Sequence, residues 1–151
     1  MKAYNAKDIR NIALAGHGGR GKTTLAEAML YLAKATERLG RVADGNTVLD
    51  FDPEEKRRVA SVSTAVAPLE WKNVKVNILD TPGMFDFAGG VAEGMRAAEA
   101  ALIVLAGGTE TFDVGAEKAV KAADKRGIAK MFAVTRLDAE NTDFFKTFEA
   151  I

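Results

Sequence analysis

A chain of 151 residues, 48% of them apolar, is long enough to enclose one core and too apolar for a disordered segment. Its 21 Lys and Arg balance its 21 Asp and Glu, so no overall basic field draws it to nucleic acid, and no direct nucleic-acid site is evident. Cysteine is absent and His17 is the sole histidine, which excludes disulfides and cysteine-based zinc sites, argues against a Ser-His-Asp triad, and fits a reducing cytoplasm.

The first eight residues are polar and lack the apolar centre of a signal peptide, and no apolar run approaches membrane-spanning length. Residues 9–15 read as a buried first strand. Directly after it comes Gly16-His17-Gly18-Gly19-Arg20-Gly21-Lys22-Thr23, which has the G-x-x-x-x-G-K-[ST] spacing of a phosphate-binding loop between a strand and a helix. Glycines let successive N–H groups turn toward phosphate oxygens, and the start of the next helix adds partial positive charge. Lys22 is expected to reach the terminal phosphates and the Thr23 hydroxyl to bind Mg²⁺. The periodicity of Leu25, Met29, Leu32 and Thr36 predicts a helix over 23–39, with Gly40 as its C-cap.

Residues 41–60 are polar and charged, and a connection of that length is expected to be functional or mobile. Residues 62–71 alternate and end at Lys72-Asn73, a hairpin turn, before a strand over 74–79. Asp80-Thr81-Pro82-Gly83 follows that strand. An acidic residue at this place can hold a magnesium shell, and the N–H of Gly83 can approach a γ-phosphate because no side chain intervenes. A helix is predicted over 90–98, a central strand over 101–105, a helix over 113–126 ended by Gly127, and a strand over 130–134. Asn141, with Thr142, is the predicted cap of a last helix. The final residues keep helical spacing without a stop signal, which predicts a fragment of a longer protein.

Strands alternating with helices imply an α/β fold: a mostly parallel sheet with one antiparallel edge strand and helices on both faces. In such sheets ligands bind beyond the carboxyl ends of the strands, where the phosphate loop, Asp80 and Asp138 all fall. Thr135-Arg136-Leu137-Asp138 closes a buried strand and is the candidate for reading a base. The Asp138 carboxylate can accept both N–H donors on one edge of guanine, an arrangement adenine does not offer.

These motifs in this order resemble the start of the nucleotide-binding domain of elongation factor G, and more closely its divergent elongation-factor-G-like paralogues. The resemblance is carried by Gly16-His17 to Thr24, by Asp44-Gly45-Asn46-Thr47-Val48-Leu49-Asp50, by Ala67-Pro68-Leu69-Glu70-Trp71, and by Asp80-Thr81-Pro82-Gly83 with Asp86-Phe87. It implies a Ras-like P-loop NTPase, a translational GTPase using GTP/GDP and Mg²⁺ and working on the ribosome. All of 1–151 would form one GTP-binding domain that stops before the last guanine-binding loop. It further implies that residues 16–24, Asp80, Gly83, Thr135, Arg136 and Asp138 bind nucleotide. Lys22 and Gly83 would serve the reaction, and Thr23, Ser61 and Asp80 the metal. Residues 41–64 resemble the first switch loop, with Ser61 at the place of the family's magnesium-binding threonine.

The departures bear on catalysis. Met84 stands where the family has the histidine that positions the attacking water, a task a thioether cannot perform. Gly19 replaces the loop's usual aspartate, with Arg20, expected to be solvated, beside it. His17 is expected to pack beside the phosphates. Arg136 replaces a lysine, and its plane can stack on a purine. Thr135 replaces an amide by a hydroxyl. Intrinsic hydrolysis is therefore expected to be slow. Two other readings stand beside the GTPase: a nucleotide switch with little or no hydrolysis, and an ATP-using P-loop protein, against which Asp138 argues.

Overall fold

A computed structural model describes residues 2–108, 112–140 and 142–151. Ten principal elements follow in order: β1 (Ile9–Ala15), α1 (Lys22–Leu32), α2 (Pro53–Arg58), β2 (Ala65–Trp71), β3 (Val74–Asp80), α3 (Ala88–Ala97), β4 (Ala100–Ala106), α4 (Val114–Arg126), β5 (Ala129–Thr135) and α5 (Phe144–Glu149). The strands form one sheet in the order β2-β3-β1-β4-β5. Only β2 and β3 run antiparallel; β1 is parallel to both of its neighbours, and β5 is parallel to β4. The expected mixed sheet with an antiparallel edge is thus present. Lys72 and Asn73 both take positive φ (45° and 66°), the requirement of a two-residue hairpin turn that matches strand twist.

Alternation along the strands builds two cores. Ala13 and Ala15 of β1 face Ile103, Leu105, Met95, Ala116 and Ala119 under α3 and α4. Leu14, between them, faces Ala26, Leu30, Ile78 and Ala67 under α1. Side chains of neighbouring strand residues point to opposite faces, so one short apolar strand serves both layers.

Register fixes the functional edge. Leu14 lies beside Asp80, Ala15 beside Ile103, and Ala106 beside Thr135. The carboxyl ends of β1, β3, β4 and β5 therefore share one rim. Because β1 is flanked by β3 on one side and β4 on the other, the chain leaving it at Gly16 enters the crevice where the sheet changes direction of winding.

Two boundaries differ from expectation. Helix α1 ends at Leu32, not Leu39, and Gly40 is not its cap. Lys34 adopts the left-handed conformation (φ 58°), and the Ala35 N–H bonds back to the Leu30 carbonyl at 2.9 Å, closing the last turn. A lysine thus performs the stop that a glycine usually signals. The segment 41–60 is not an unstructured connection either, since it contains α2. Asp52 caps that helix, Pro53 begins it, and Glu55 completes a reciprocal capping box. Asp113 and Gly127 cap the two ends of α4. The cap expected at Asn141 lies outside the described residues; Asp143 caps α5 through the N–H groups of Phe145 and Lys146. Among the described residues no helix is long and apolar enough to cross a membrane.

Candidate functional site

The phosphate loop is shaped by close backbone approach. Gly16 has φ 138°, and a Cβ there would run into the carbonyl of Val104 on the neighbouring strand. Lys22, the first residue of α1, is buried and turns its ammonium back toward the loop, donating to the carbonyls of Gly16 (3.1 Å) and His17 (3.0 Å). Burial pushes its pKa down, opposed by the negative charges of Asp80, Asp113 and Asp50. The cation is thus held inside the loop, close to where a phosphate would lie.

Thr23 and Asp80 meet at the centre. The Thr23 hydroxyl donates to Asp80 Oδ2 at 2.6 Å and lies 3.3 Å from the Ser61 hydroxyl. Ser61 in turn donates to Asp50 Oδ1 at 2.8 Å. The three residues expected to serve a metal therefore converge, although Ser61 is 38 residues from Thr23 in the chain. Asp80 is 1% exposed, and its Oδ1 is buried without a hydrogen-bond partner. Burial pushes its pKa up to about 7, against the pull of the Thr23 hydroxyl and the Lys22 charge. Asp50 is raised as well, again chiefly by burial, with the Ser61 bond acting the other way.

This donor set fits Mg²⁺. All its atoms are hard oxygens: one buried carboxylate oxygen lacks a partner, the Thr23 hydroxyl bonds the other oxygen of that carboxylate, and the Ser61 hydroxyl lies 3.3 Å from Thr23. Among the described residues no group of three or more His, Cys, Asp or Glu could hold a metal alone. Thr23, Ser61 and Asp80 would hold the ion, with Asp50 behind Ser61.

A cavity of ≈ 520 Å³ opens over this centre. Gly18, Gly19, Gly21, Lys22, Thr23 and Thr24 form its floor. Asp50, Ser61, Gly83 and Met84 stand around it, and Arg136 reaches it from the end of β5. Gly83 comes so near the loop that a Cβ on it would sit 2.6 Å from the Gly18 nitrogen and would also strike Lys22 Nζ.

The other expected residues are placed differently. Arg20 is not solvated: its Nε pairs with Asp113 Oδ2 at 3.1 Å, tying the loop to the cap of α4. The His17 ring stacks on Phe85 (centroids 5.4 Å, interplanar 23°), and its Nδ1 accepts from the Gly18 N–H at 2.8 Å. Lys118 Nζ lies 3.9 Å from the centre of the same Phe85 ring. Thr135 serves the loop from beneath, its hydroxyl 2.7 Å from the Arg20 carbonyl and 3.0 Å from that of Leu105. Asp138 is exposed beyond the rim and does not line the cavity.

Glu27 and Glu55 have no role in the sequence reading, and Asp50 and Asp113, read there only as part of a motif and as a helix start, also bond into the site's surroundings. The Asp52-Pro53-Glu54-Glu55 run carried a helix-start signal that would have placed Glu55. For Glu27 no local signal exists, because its partner Val48 is 21 residues away; Asp50 has a near partner in Thr47, but its bond to Ser61 spans 11 residues.

A strand–phosphate loop–helix unit, an aspartate at the neighbouring strand end and a mixed sheet wound in this order define a P-loop nucleotide-binding domain of Ras-like topology. The comparisons narrow the class: residues 7–151 match the Elongation factor Tu GTP binding domain, and the chain belongs to that family. It is 40% identical over 142 residues to an elongation factor G-like protein of Mycobacterium tuberculosis (strain ATCC 25618 / H37Rv), covering 94% of this chain and 20% of that protein. It is 36% identical to elongation factor G 1 of Syntrophomonas wolfei, over 96% of this chain and 21% of the relative. The mitochondrial ribosome-releasing factor 2 of Yarrowia lipolytica is also 36% identical, over 98% of this chain and 19% of its own length. A crystal structure from Thermus thermophilus superposes with a TM-score of 0.89 at 42% identity, covering 93% of this chain and 21% of that one. The chain thus spans about a fifth of the length of these relatives.

Proposed function

We propose that this domain is the GTP-hydrolysing switch of an elongation-factor-G-like protein that works on the ribosome in the cytoplasm. The observation that carries the reading is the meeting of Lys22, Thr23, Ser61 and Asp80 under one cavity in a chain of the GTP-binding family. Lys22 would leave its loop carbonyls to contact the β- and γ-phosphates, and the Gly83 N–H would face the γ-phosphate across the cavity. When bound, Mg²⁺ would neutralise charge on the phosphate oxygens. Arg136 would lie against the base and Asp138 would accept its N–H groups; both are proposed roles. Because Ser61 belongs to the loop 41–64 and Gly83 begins another, loss of the terminal phosphate would release both.

Met84 gives the second reading its support. It stands next to Gly83 on the cavity wall, 39% exposed, and offers no proton acceptor to an attacking water. A switch that binds GTP without efficient hydrolysis is compatible with that wall.

Phosphate release from GTP, followed with and without ribosomes, separates the two. A ribosome-stimulated rate abolished by Lys22→Ala supports the enzyme. Mg²⁺-dependent GTP binding without any release supports the pure switch. The guanine assignment is tested by competition against labelled GDP: ATP that displaces it as well as GDP does would overturn the roles given to Asp138 and Arg136.

A further inference from the structure

We propose that Glu27 is a positioning residue that carries the metal-bound state of the phosphate-loop helix to the first switch loop. It lies five positions after Lys22 on α1, on the face opposite to solvent, and is completely buried. A buried carboxylate without partners is costly, so the bonds it does make indicate what holds it there. Glu27 Oε1 accepts the N–H of Val48 at 2.7 Å and that of Leu49 at 3.4 Å. These two amides lie inside the turn from Thr47 to Asp50, where the Asp50 N–H bonds to the Thr47 hydroxyl at 3.2 Å. Asp50 then accepts from Ser61, and Ser61 lies beside Thr23. The path closes on α1 itself: Thr23 and Glu27 are one helical turn apart and hold the same loop at two points.

The carboxylate is also gripped from outside. A Cβ on Gly40 would collide with Glu27 Oε2 and come 2.9 Å from Thr47 Cα, so the chain at Gly40 threads between the two. Oε2 itself has no hydrogen-bond partner, and the ≈ 580 Å³ cavity that Glu27 borders also contains Thr36, whose hydroxyl is likewise buried and unpaired. Half of the carboxylate is thus engaged and half is not. An acceptor spent on the loop in this way stabilises one loop position and leaves that position dependent on a single oxygen. Glu55 acts differently, within the loop: it accepts from Asp52, Val62 and Ser63 and sets the backbone around Ser61 locally. Glu27 is the one of the two that joins the loop to the helix bearing Lys22 and Thr23.

This inference rests on the reading that Thr23 and Ser61 hold Mg²⁺. The affinity for a non-hydrolysable GTP analogue, measured by calorimetry in Mg²⁺ and in EDTA, tests both and tells them apart. For the wild-type chain the reading requires tighter binding in Mg²⁺; equal affinities would overturn the metal assignment itself. Given that difference, Glu27→Leu, which keeps volume and removes the acceptor, is expected to lose roughly tenfold of the Mg²⁺-dependent gain while its affinity in EDTA stays within about twofold. Glu27→Gln, which keeps one acceptor oxygen, is expected to restore most of the gain. A Glu27→Leu chain with an undiminished Mg²⁺ gain, or a Glu27→Gln chain as impaired as Glu27→Leu, overturns the proposal. If Glu27→Leu does not fold, hydrogen exchange on the wild-type chain decides. The Val48 and Leu49 amides must exchange more slowly with the GTP analogue and Mg²⁺ than with the analogue and EDTA, and unchanged exchange overturns the coupling.

Discussion

The Thr23 hydroxyl and the Asp80 carboxylate, 57 residues apart in sequence, are joined by a 2.6 Å hydrogen bond in the floor of the cavity. The bond satisfies one oxygen of a carboxylate whose other oxygen is buried and unpaired. An unpaired carboxylate oxygen is a poor match for buried surroundings unless a cation meets it.

The first prediction follows from that mismatch. In the unfolded chain Asp80 titrates near the ordinary 3.8, whereas in the folded chain burial raises it to about 7. Between these values the folded state holds a proton that the unfolded state has lost. The Asp80 contribution to stability is therefore fully present below about 3.8 and is lost as pH rises through about 7. Without metal or nucleotide, stability should fall from pH 5 to pH 8 by an amount on the order of 1–3 kcal/mol. Asp80→Asn should flatten that slope and abolish the Mg²⁺-dependent gain in nucleotide affinity. Urea denaturation at the two pH values, in EDTA, measures the first; calorimetry measures the second.

A second prediction concerns Val59, which caps the end of α2 with φ 54° and ψ 38°. The left-handed region is costly for a β-branched residue, by roughly 1–2 kcal/mol. Val59 is 55% exposed, so little packing is lost on removing its side chain. Val59→Gly should relieve the strain, offset in part by the greater freedom of glycine in the unfolded chain. A net gain of about 0.5–1 kcal/mol is expected, a rise of a few degrees in a thermal melt. Because Ser61 is two residues on, nucleotide affinity in Mg²⁺ should not fall. A lowered melting temperature would show that the strain lies elsewhere.

Much of the site was legible because its chemistry is local. The loop 16–23 and the Asp80–Gly83 run each declare themselves over a few residues, and the mostly parallel sheet with one antiparallel edge follows from a hairpin and apolar strands separated by helices. What was illegible depends on distant partners. Nothing near Arg20 announces that Asp113, 93 residues on, will neutralise it. Nothing near Thr135 announces a bond to the Arg20 carbonyl. The end of α1 was misplaced because Lys34 took a conformation for which lysine carries no propensity. The helix α2 is a different case: its cap, proline and capping-box glutamate are adjacent, and charge was read there where helix initiation should have been.

The Arg20–Asp113 pair supplies a third prediction. Both side chains are largely covered, and Asp113 also accepts from the Ala116 N–H at 2.8 Å as the cap of α4. A double-mutant cycle with Arg20→Gln and Asp113→Asn should give a coupling on the order of 1 kcal/mol. Asp113→Ala should cost about 1 kcal/mol more than Asp113→Asn, because only the alanine abandons the cap. A coupling near zero would mean that the pair is incidental and that Arg20 is held in place by the Thr135 bond to its carbonyl.

The fourth prediction is drawn from the contact between Gly83 and the phosphate loop. A methyl group at position 83 would sit 2.6 Å from the Gly18 nitrogen and 2.7 Å from its Cα, closer than real Cβ contacts allow. The Lys22 side chain can swing aside, but the backbone of Gly18 cannot yield without moving the loop that is to hold phosphate. Gly83→Ala must therefore push the segment after Asp80 away from the loop. That segment is stitched to β1 by the Thr81 hydroxyl, which bonds the Leu14 carbonyl at 2.7 Å, so the shift falls on Gly83 and Met84 rather than on the strand. GDP, which has no γ-phosphate, should bind Gly83→Ala within a few-fold of the wild-type affinity. GTP should lose at least tenfold, about 1.4 kcal/mol, because the N–H expected to face its terminal phosphate is displaced. The ratio of the two affinities is the quantity to measure. An unchanged ratio would remove Gly83 from the γ-phosphate and leave recognition of the triphosphate to Lys22.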